Sequence, residues 1–108
     1  MRMPLEDYLM PAEEIKFSGS GLVNYGGRQY QLILTNKRIL LYARRGMISK
    51  SDDVVSVKLT ELHDIKYKES GLIGKKGDIH LQTDKTIMDL YGPAMEIKAV
   101  YQQVMQFV

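Results

Sequence analysis

The hydrophobic period of this chain changes once, and that change constrains the fold more than any other feature. Up to Tyr91 the apolar residues alternate with polar ones, which is the period of a half-buried strand. Ile15 and Phe17 alternate in this way, as do Tyr30, Leu32 and Leu34, then Val55, Val57 and Leu59, then Ile79 and Leu81. From Pro93 onward, Ile97, Val100, Val104 and Phe107 recur at spacings of three, four and three, with Tyr101 and Val108 widening the stripe. That pattern predicts one amphipathic helix of about four turns, whose apolar face needs a surface to cover.

Turn residues divide the first part into seven short strands. Pro4–Met10 reads as a helical turn with Pro4 at its first position, stopped by Pro11. The first strand runs from Glu14 to Val23. Its Gly19 and Gly21 indicate a bend, a bulge or a close backbone approach. Asn24–Gly27 is a turn, and Gln29–Thr35 is the second strand, with Tyr30, Leu32 and Leu34 on one face and Ile33 on the other. Thr35-Asn36-Lys37 turns the chain into Arg38–Arg44, a strand apolar on both faces and therefore central. Residues 47–53 read as a polar loop. Strands follow around Val55–Leu59 and His63–Lys68, then a glycine-rich loop over Ser70–Gly77, then a hairpin turning at Asp84-Lys85 and returning over Thr86–Tyr91.

The 108 residues suffice for one core, with no repeat, linker or low-complexity tract, so residues 1–108 form one domain. No apolar run approaches the roughly 20 residues of a membrane span. The N-terminus lacks the apolar stretch of a signal peptide, so a cytoplasmic location is expected. The net charge of +2 is too small to imply a polyanion partner. Basic residues do gather at Lys37, Arg38, Arg44, Arg45 and Lys50 without an intervening acid, and again at Lys66, Lys68, Lys75 and Lys76.

The chemistry of catalysis is missing from this pattern. There is no cysteine, and the two histidines, His63 and His80, have parities that point them apart, so no metal site is expected. No serine sits in a strand–turn–helix elbow. The pairs Glu13-Glu14 and Asp52-Asp53 diverge in extended chain and read as solvated surface. Gly71–Gly77 is not a nucleotide-binding loop, because its glycine spacing is wrong and no Ser or Thr follows the lysines. Gly74-Lys75-Lys76-Gly77 does match a GxxG, but both flanks read as strands, so it is a hairpin loop that could show Lys75 and Lys76 to an anion. Neither catalytic residues nor a cofactor are expected.

Leu34-Thr35-Asn36-Lys37-Arg38-Ile39-Leu40-Leu41-Tyr42 resembles the LTNKRLI signature of the prokaryotic pleckstrin-homology (PH) families. Val54–Leu59 followed by Ile65 is similar to their fourth and fifth strands, and the acidic pair before the first strand is similar to their opening. The resemblance covers residues 8–108. It implies a mainly β fold: a seven-stranded antiparallel PH-like sandwich or barrel capped by a C-terminal α-helix, with a short N-terminal helical turn. Thr35 to Arg38 would hold the hairpin together, with Lys37 and Arg38 able to pair with Glu61 or Asp64.

The same resemblance implies a non-catalytic binding module. The first reading is a protein partner or self-association, docked along a sheet edge as in strand addition. The alternative is weak binding of an anionic lipid or phosphate at a membrane surface, which would make the protein a peripheral one. Its candidate residues are Arg28 in the first loop and Arg44, Arg45 and Lys50 after the third strand, with Lys75 and Lys76 as a second basic loop. The dense basic motif that eukaryotic PH domains carry in the first loop is missing. Nucleic acid is not an expected partner, since Tyr42 is the only aromatic within Lys37–Lys50 and a strand position places it in the core.

Overall fold

The computed structural model describes residues 8–46 and 51–106. In chain order the strands are β1 (Ile15–Tyr25), β2 (Arg28–Thr35), β3 (Arg38–Arg45), β4 (Ser51–Lys58), β5 (Asp64–Ser70), β6 (Lys76–Gln82) and β7 (Ile87–Pro93), and α1 (Ala94–Met105) follows. The pairing is antiparallel throughout, in the order β4-β3-β2-β1-β7-β6-β5. β1 pairs with β2 along its length but with β7 only through Asn24 and Tyr91. β4 and β5 are the two outer strands. The result is a sandwich-like open structure with a C-terminal helix, not a closed barrel.

Alternation decides which side chains go inside. Tyr30, Leu32 and Leu34 of β2, Ile39 and Leu41 of β3, Ile79 and Leu81 of β6, and Met88 and Leu90 of β7 build the main core. Ile97, Val100 and Val104 of α1 close it, each with no exposed surface. β3 is interior to the order and apolar on both faces, as its sequence implies. Its Leu40 and Tyr42 join Ile33 of β2 in a second, smaller cluster on the outer face, covered by Leu9 and Val54.

Two cross-strand glycines seat the helix. Gly77 of β6 pairs with Gly92 of β7, and Ile97 fills the space above them. A Cβ at Gly77 would stand 2.9 Å from Ile97 Cβ and 3.1 Å from Tyr67 Cε1. Tyr101 stacks on Tyr67 at 5.5 Å between ring centres. Gly19 and Gly21 meet the expectation of a bulge and a close approach together. β1 slips register between Ser18 and Leu22, and Gly21 N–H donates to Glu96 Oε1 at 2.6 Å.

Several boundaries differ from the sequence reading. β4 begins at Ser51, because Arg45, Arg44 and Ala43 pair with Ser51, Asp52 and Asp53, so those three residues are strand and not loop. Ser70 belongs to β5, and Lys76 and Gly77 belong to β6. Pro93 ends β7 opposite Lys76, and the helix starts at Ala94 with 12 residues, about three turns. Pro4–Asp7 of the N-terminal turn, Lys50 in the β3–β4 loop, and Phe107 and Val108 of the apolar stripe lie outside the described residues.

Candidate functional site

Three places gather polar chemistry: the β2–β3 turn, the aspartate end of β4, and the β5–β6 loop with the start of α1.

The first is the Thr35–Arg38 turn. Thr35 Oγ1 accepts from the backbone N–H groups of Lys37 (3.1 Å) and Arg38 (2.9 Å), which holds the hairpin as its composition implies. The same hydroxyl donates to Glu13 Oε2 at 2.6 Å. Arg38 donates through Nε to Glu13 Oε2 (2.9 Å), through Nη2 to Glu13 Oε1 (2.8 Å), and through Nη2 to the Tyr8 carbonyl (2.6 Å). Asn36 and Glu14 bond reciprocally, Asn36 N–H to the Glu14 carbonyl and Glu14 N–H to Asn36 Oδ1, and Lys37 Nζ reaches the Pro11 carbonyl. The turn is therefore a clasp around residues 8–14. Arg38 takes Glu13 as its partner, where Glu61 or Asp64 was expected, because pairing of Ile15 with Thr35 lays that segment beside the turn.

Glu13 overturns the reading of the Glu13-Glu14 pair as solvated surface. Its side chain is fully buried, and the Arg38 hydrogen bonds hold its carboxyl down to about 2 against the opposing pull of burial. A buried carboxylate is sustainable here because both oxygens are bonded to a guanidinium. The acidic pair before β1 and the Arg of the turn were both visible in the sequence; their distance of 25 residues hid the link.

The second place holds two of the expected anion-binding residues. Arg28 and Arg44 lie at the same end of the β2–β3–β4 sheet but on opposite faces, each beside its own carboxylate. Arg28 Nη1 is 3.8 Å from Asp53 Oδ2, which accepts from Tyr30 Oη at 2.9 Å. Arg44 Nε is 3.7 Å from Asp52 Oδ1. Asp52 also accepts from Tyr8 Oη (2.8 Å) and Tyr42 Oη (3.1 Å), which lower its carboxyl, Tyr8 most. Asp52-Asp53 diverge as neighbours in a strand do, yet both are tyrosine acceptors and not merely solvated. The Arg45 side chain and Lys50 lie outside what is described.

The third place includes the second basic loop. Lys75 Nζ lies 3.4 Å from Glu69 Oε2 and Lys98 Nζ 3.7 Å from Glu69 Oε1, while Tyr67 Oη donates to Glu69 at 2.9 Å. The tyrosine hydroxyl is the main reason the Glu69 carboxyl is lowered. Lys76 is exposed at the start of β6. The loop residues between these lysines and Glu69 include two bare aliphatic side chains, Leu72 and Ile73.

The histidines part company. His63 Nε2 lies 3.1 Å from Asp84, whereas His80 Nδ1 lies 3.0 Å from Asp89 across β6 and β7, and that hydrogen bond raises the His80 pKa. Among the described residues no group of three or more His, Asp or Glu is placed to hold a metal ion.

An open seven-stranded antiparallel sandwich capped by a C-terminal helix is the PH-like fold. The chain matches the model of the bacterial PH domain over residues 9–105, and it belongs to that family. It is also similar in fold to the pleckstrin homology domain from Shewanella amazonensis SB2B, with a TM-score of 0.64, 14% identity, 95% of this chain covered and 90% of that one. A DUF1696 family protein with a pleckstrin-homology domain from Shewanella loihica PV-4 gives a TM-score of 0.66 at 16% identity, covering 95% of this chain and 86% of that one. No curated protein matches the chain. Among the described residues no helix is long and apolar enough to cross a membrane.

Proposed function

We propose that this bacterial PH domain is a non-catalytic binding module that self-associates by antiparallel pairing of β4 with β4 of a second copy. The observation that carries this reading is the outer position of β4. It pairs with β3 without a register break over all eight residues, and its other edge is unpaired among the described residues. Its Val54–Lys58 half is rich in β-branched residues and has a single charge, which is the least protected kind of edge. The opposite outer strand, β5, exposes Lys66, Lys68 and Glu69, charges that oppose strand addition.

The sequence of β4 is self-complementary. A two-fold axis at Val55 sets Lys58 across from Asp52 and Ser56 across from Val54 of the second copy, placing opposite charges in cross-strand contact. Lys58 is exposed and makes no ion pair among the described residues. The alternative, anionic binding through Arg28, Arg44, Arg45 and Lys50, has less support, since the two described guanidinium groups each stand beside an aspartate.

Light scattering over a concentration series tests the proposal. The expected mass is that of a dimer, and Ser56→Lys, at an exposed edge position, should return a folded monomer whose thermal midpoint no longer depends on protein concentration. A monomer at every concentration, or a dimer indifferent to Ser56→Lys, rejects it.

A further inference from the structure

Beside the clasp, a cleft of about 350 Å³ opens between Met10, the β2–β3 turn and the chain leaving β4. The strand order puts it at the end of the sandwich opposite the β1–β2 and β3–β4 loops, away from Arg28 and Arg44. Its volume falls at the lower end of the range for small-molecule sites. Met10, 46% exposed, and Leu59 give it an apolar lining. The walls are pinned. Met10 N–H donates to Glu13 Oε1 at 2.8 Å, Asn36 Nδ2 to the Ala12 carbonyl at 3.3 Å, and Leu59 N–H to the Lys37 carbonyl at 2.9 Å. Glu13 N–H donates to the Met10 carbonyl at 3.0 Å, closing a turn in which Ala12 takes φ +64°. That is the only positive φ outside glycine among the described residues, and an alanine stays there only where its surroundings fix it. A cleft held in this way is pre-organised for a ligand.

Positive charge surrounds the apolar lining, and no carboxylate is among the residues that form it. Arg38 is already paired with Glu13, which leaves two exposed ammonium groups. Lys37 Nζ donates to the neutral Pro11 carbonyl at 3.1 Å, and Lys58 makes no ion pair among the described residues. Neither charge is matched by an anion of the chain.

We propose that this cleft binds a small organic monocarboxylate, with its short apolar tail against Met10 and Leu59 and its carboxylate between Lys37 and Lys58. The tail accounts for the apolar lining, and the carboxylate supplies the charge that the two ammonium groups lack. The size favours a free acid over a segment of another protein. A volume of about 350 Å³ holds a small molecule, whereas a stable protein contact takes about 800 Å² from each partner. Lys58 also belongs to the β4 pairing, but Met10 and Lys37 do not, and the inference does not depend on that pairing.

Titration of hexanoate into the full chain, followed by NMR, is the test. The amide resonances of Asn36, Lys37, Leu59 and Thr60 and the Met10 methyl should move together and saturate, while the methyls of Met88, Met95 and Met105 stay in place. Hexanol and hexylammonium keep the tail but not the negative charge, and each should bind about fivefold more weakly or worse. From butanoate through pentanoate to hexanoate, each methylene should tighten binding about threefold. Lys37→Gln and Lys58→Gln should each weaken hexanoate binding by roughly threefold. Met10→Glu, which sets a carboxylate in the cleft, should abolish it. These side chains are exposed, so far-UV circular dichroism should report a folded chain in every variant. Binding should persist in the Ser56→Lys chain, so failure of the β4 pairing and failure of this site are told apart. The inference is overturned if saturating hexanoate moves none of these resonances, if hexanol binds as tightly, or if Lys37→Gln with Lys58→Gln binds as well as wild type. A peptide ending in an apolar residue that moves them where hexanoate does not would assign the cleft to the carboxyl terminus of a partner and overturn it equally.

Discussion

Glu13 and Arg38 are a buried ion pair, and such pairs seldom add net stability, because desolvating two charges offsets most of their attraction. What the pair does is choose a position. No other place among the described residues offers the Arg38 guanidinium two carboxylate oxygens, so residues 8–14 are held against the β2–β3 turn. Breaking the pair is another matter, since a lone guanidinium would remain nine-tenths buried. Glu13→Ala should therefore cost about 3 kcal/mol or more, lowering the thermal midpoint by roughly 10 °C or more. Glu13→Leu with Arg38→Met should recover over half of that loss. An unmoved midpoint in Glu13→Ala would deny the pair its role. Acid should act on the same bond. The Glu13 carboxyl is lowered from 4.5 to about 2 in the folded chain, so its contribution is complete above pH 4.5 and is lost as pH falls towards about 2. Urea midpoints measured across that window should fall more for wild type than for the Leu–Met pair.

The helix and the β6–β7 hairpin fit because two glycines leave room for one isoleucine. Gly77→Ala puts a methyl 2.9 Å from Ile97 Cβ, an atom that no side-chain rotation can move aside. Overpacking of this kind typically costs about 1–3 kcal/mol, and Ile97→Ala, which removes the Cγ2 that would stand 3.2 Å away, should cost less in the Gly77→Ala chain than in wild type. Chemical denaturation of the single and double variants would show this as a coupling energy, and additive effects would refute the seat. The helix itself was legible, because Ile97, Val100 and Val104 carry their period in the sequence, and the strands were legible from alternation. The seat was not. Gly77 reads as one end of a glycine-rich loop until β6 and β7 are paired and bring Gly92 beside it. The candidate site divides in the same way. Arg28 and Arg44 could be named as basic loop residues, but their carboxylate neighbours depend on the β3–β4 register, which makes Asp52 and Asp53 strand residues. The exposure of Leu72 and Ile73 was hidden too, since an apolar pair between glycines looks alike whether it folds inward or stands out.

At the scale of the molecule, the fold has two apolar layers, and only one lies between the strands and the helix. The second is the outer face of β2 and β3, where Ile33 and Leu40 have no exposed surface although no strand covers them. Leu9 packs there, Tyr8 leans on Tyr42 with ring centres 6.2 Å apart, and the clasp at Thr35–Arg38 fixes the segment that carries both. Residues 8–14 are thus part of the fold. Removing residues 1–12 should leave the strand pairing and the main core in place, so far-UV circular dichroism should change little. The bare outer face should then bind a hydrophobic dye, and the loss of buried apolar surface should cost a few kcal/mol, at about 1.5–3 kcal/mol for each large side chain uncovered. The truncated chain should also associate through that face. Such association would persist in the Ser56→Lys background, which separates it from pairing along β4. A truncated chain that stays free of dye and melts with the intact one would mean that the outer cluster draws its cover from elsewhere.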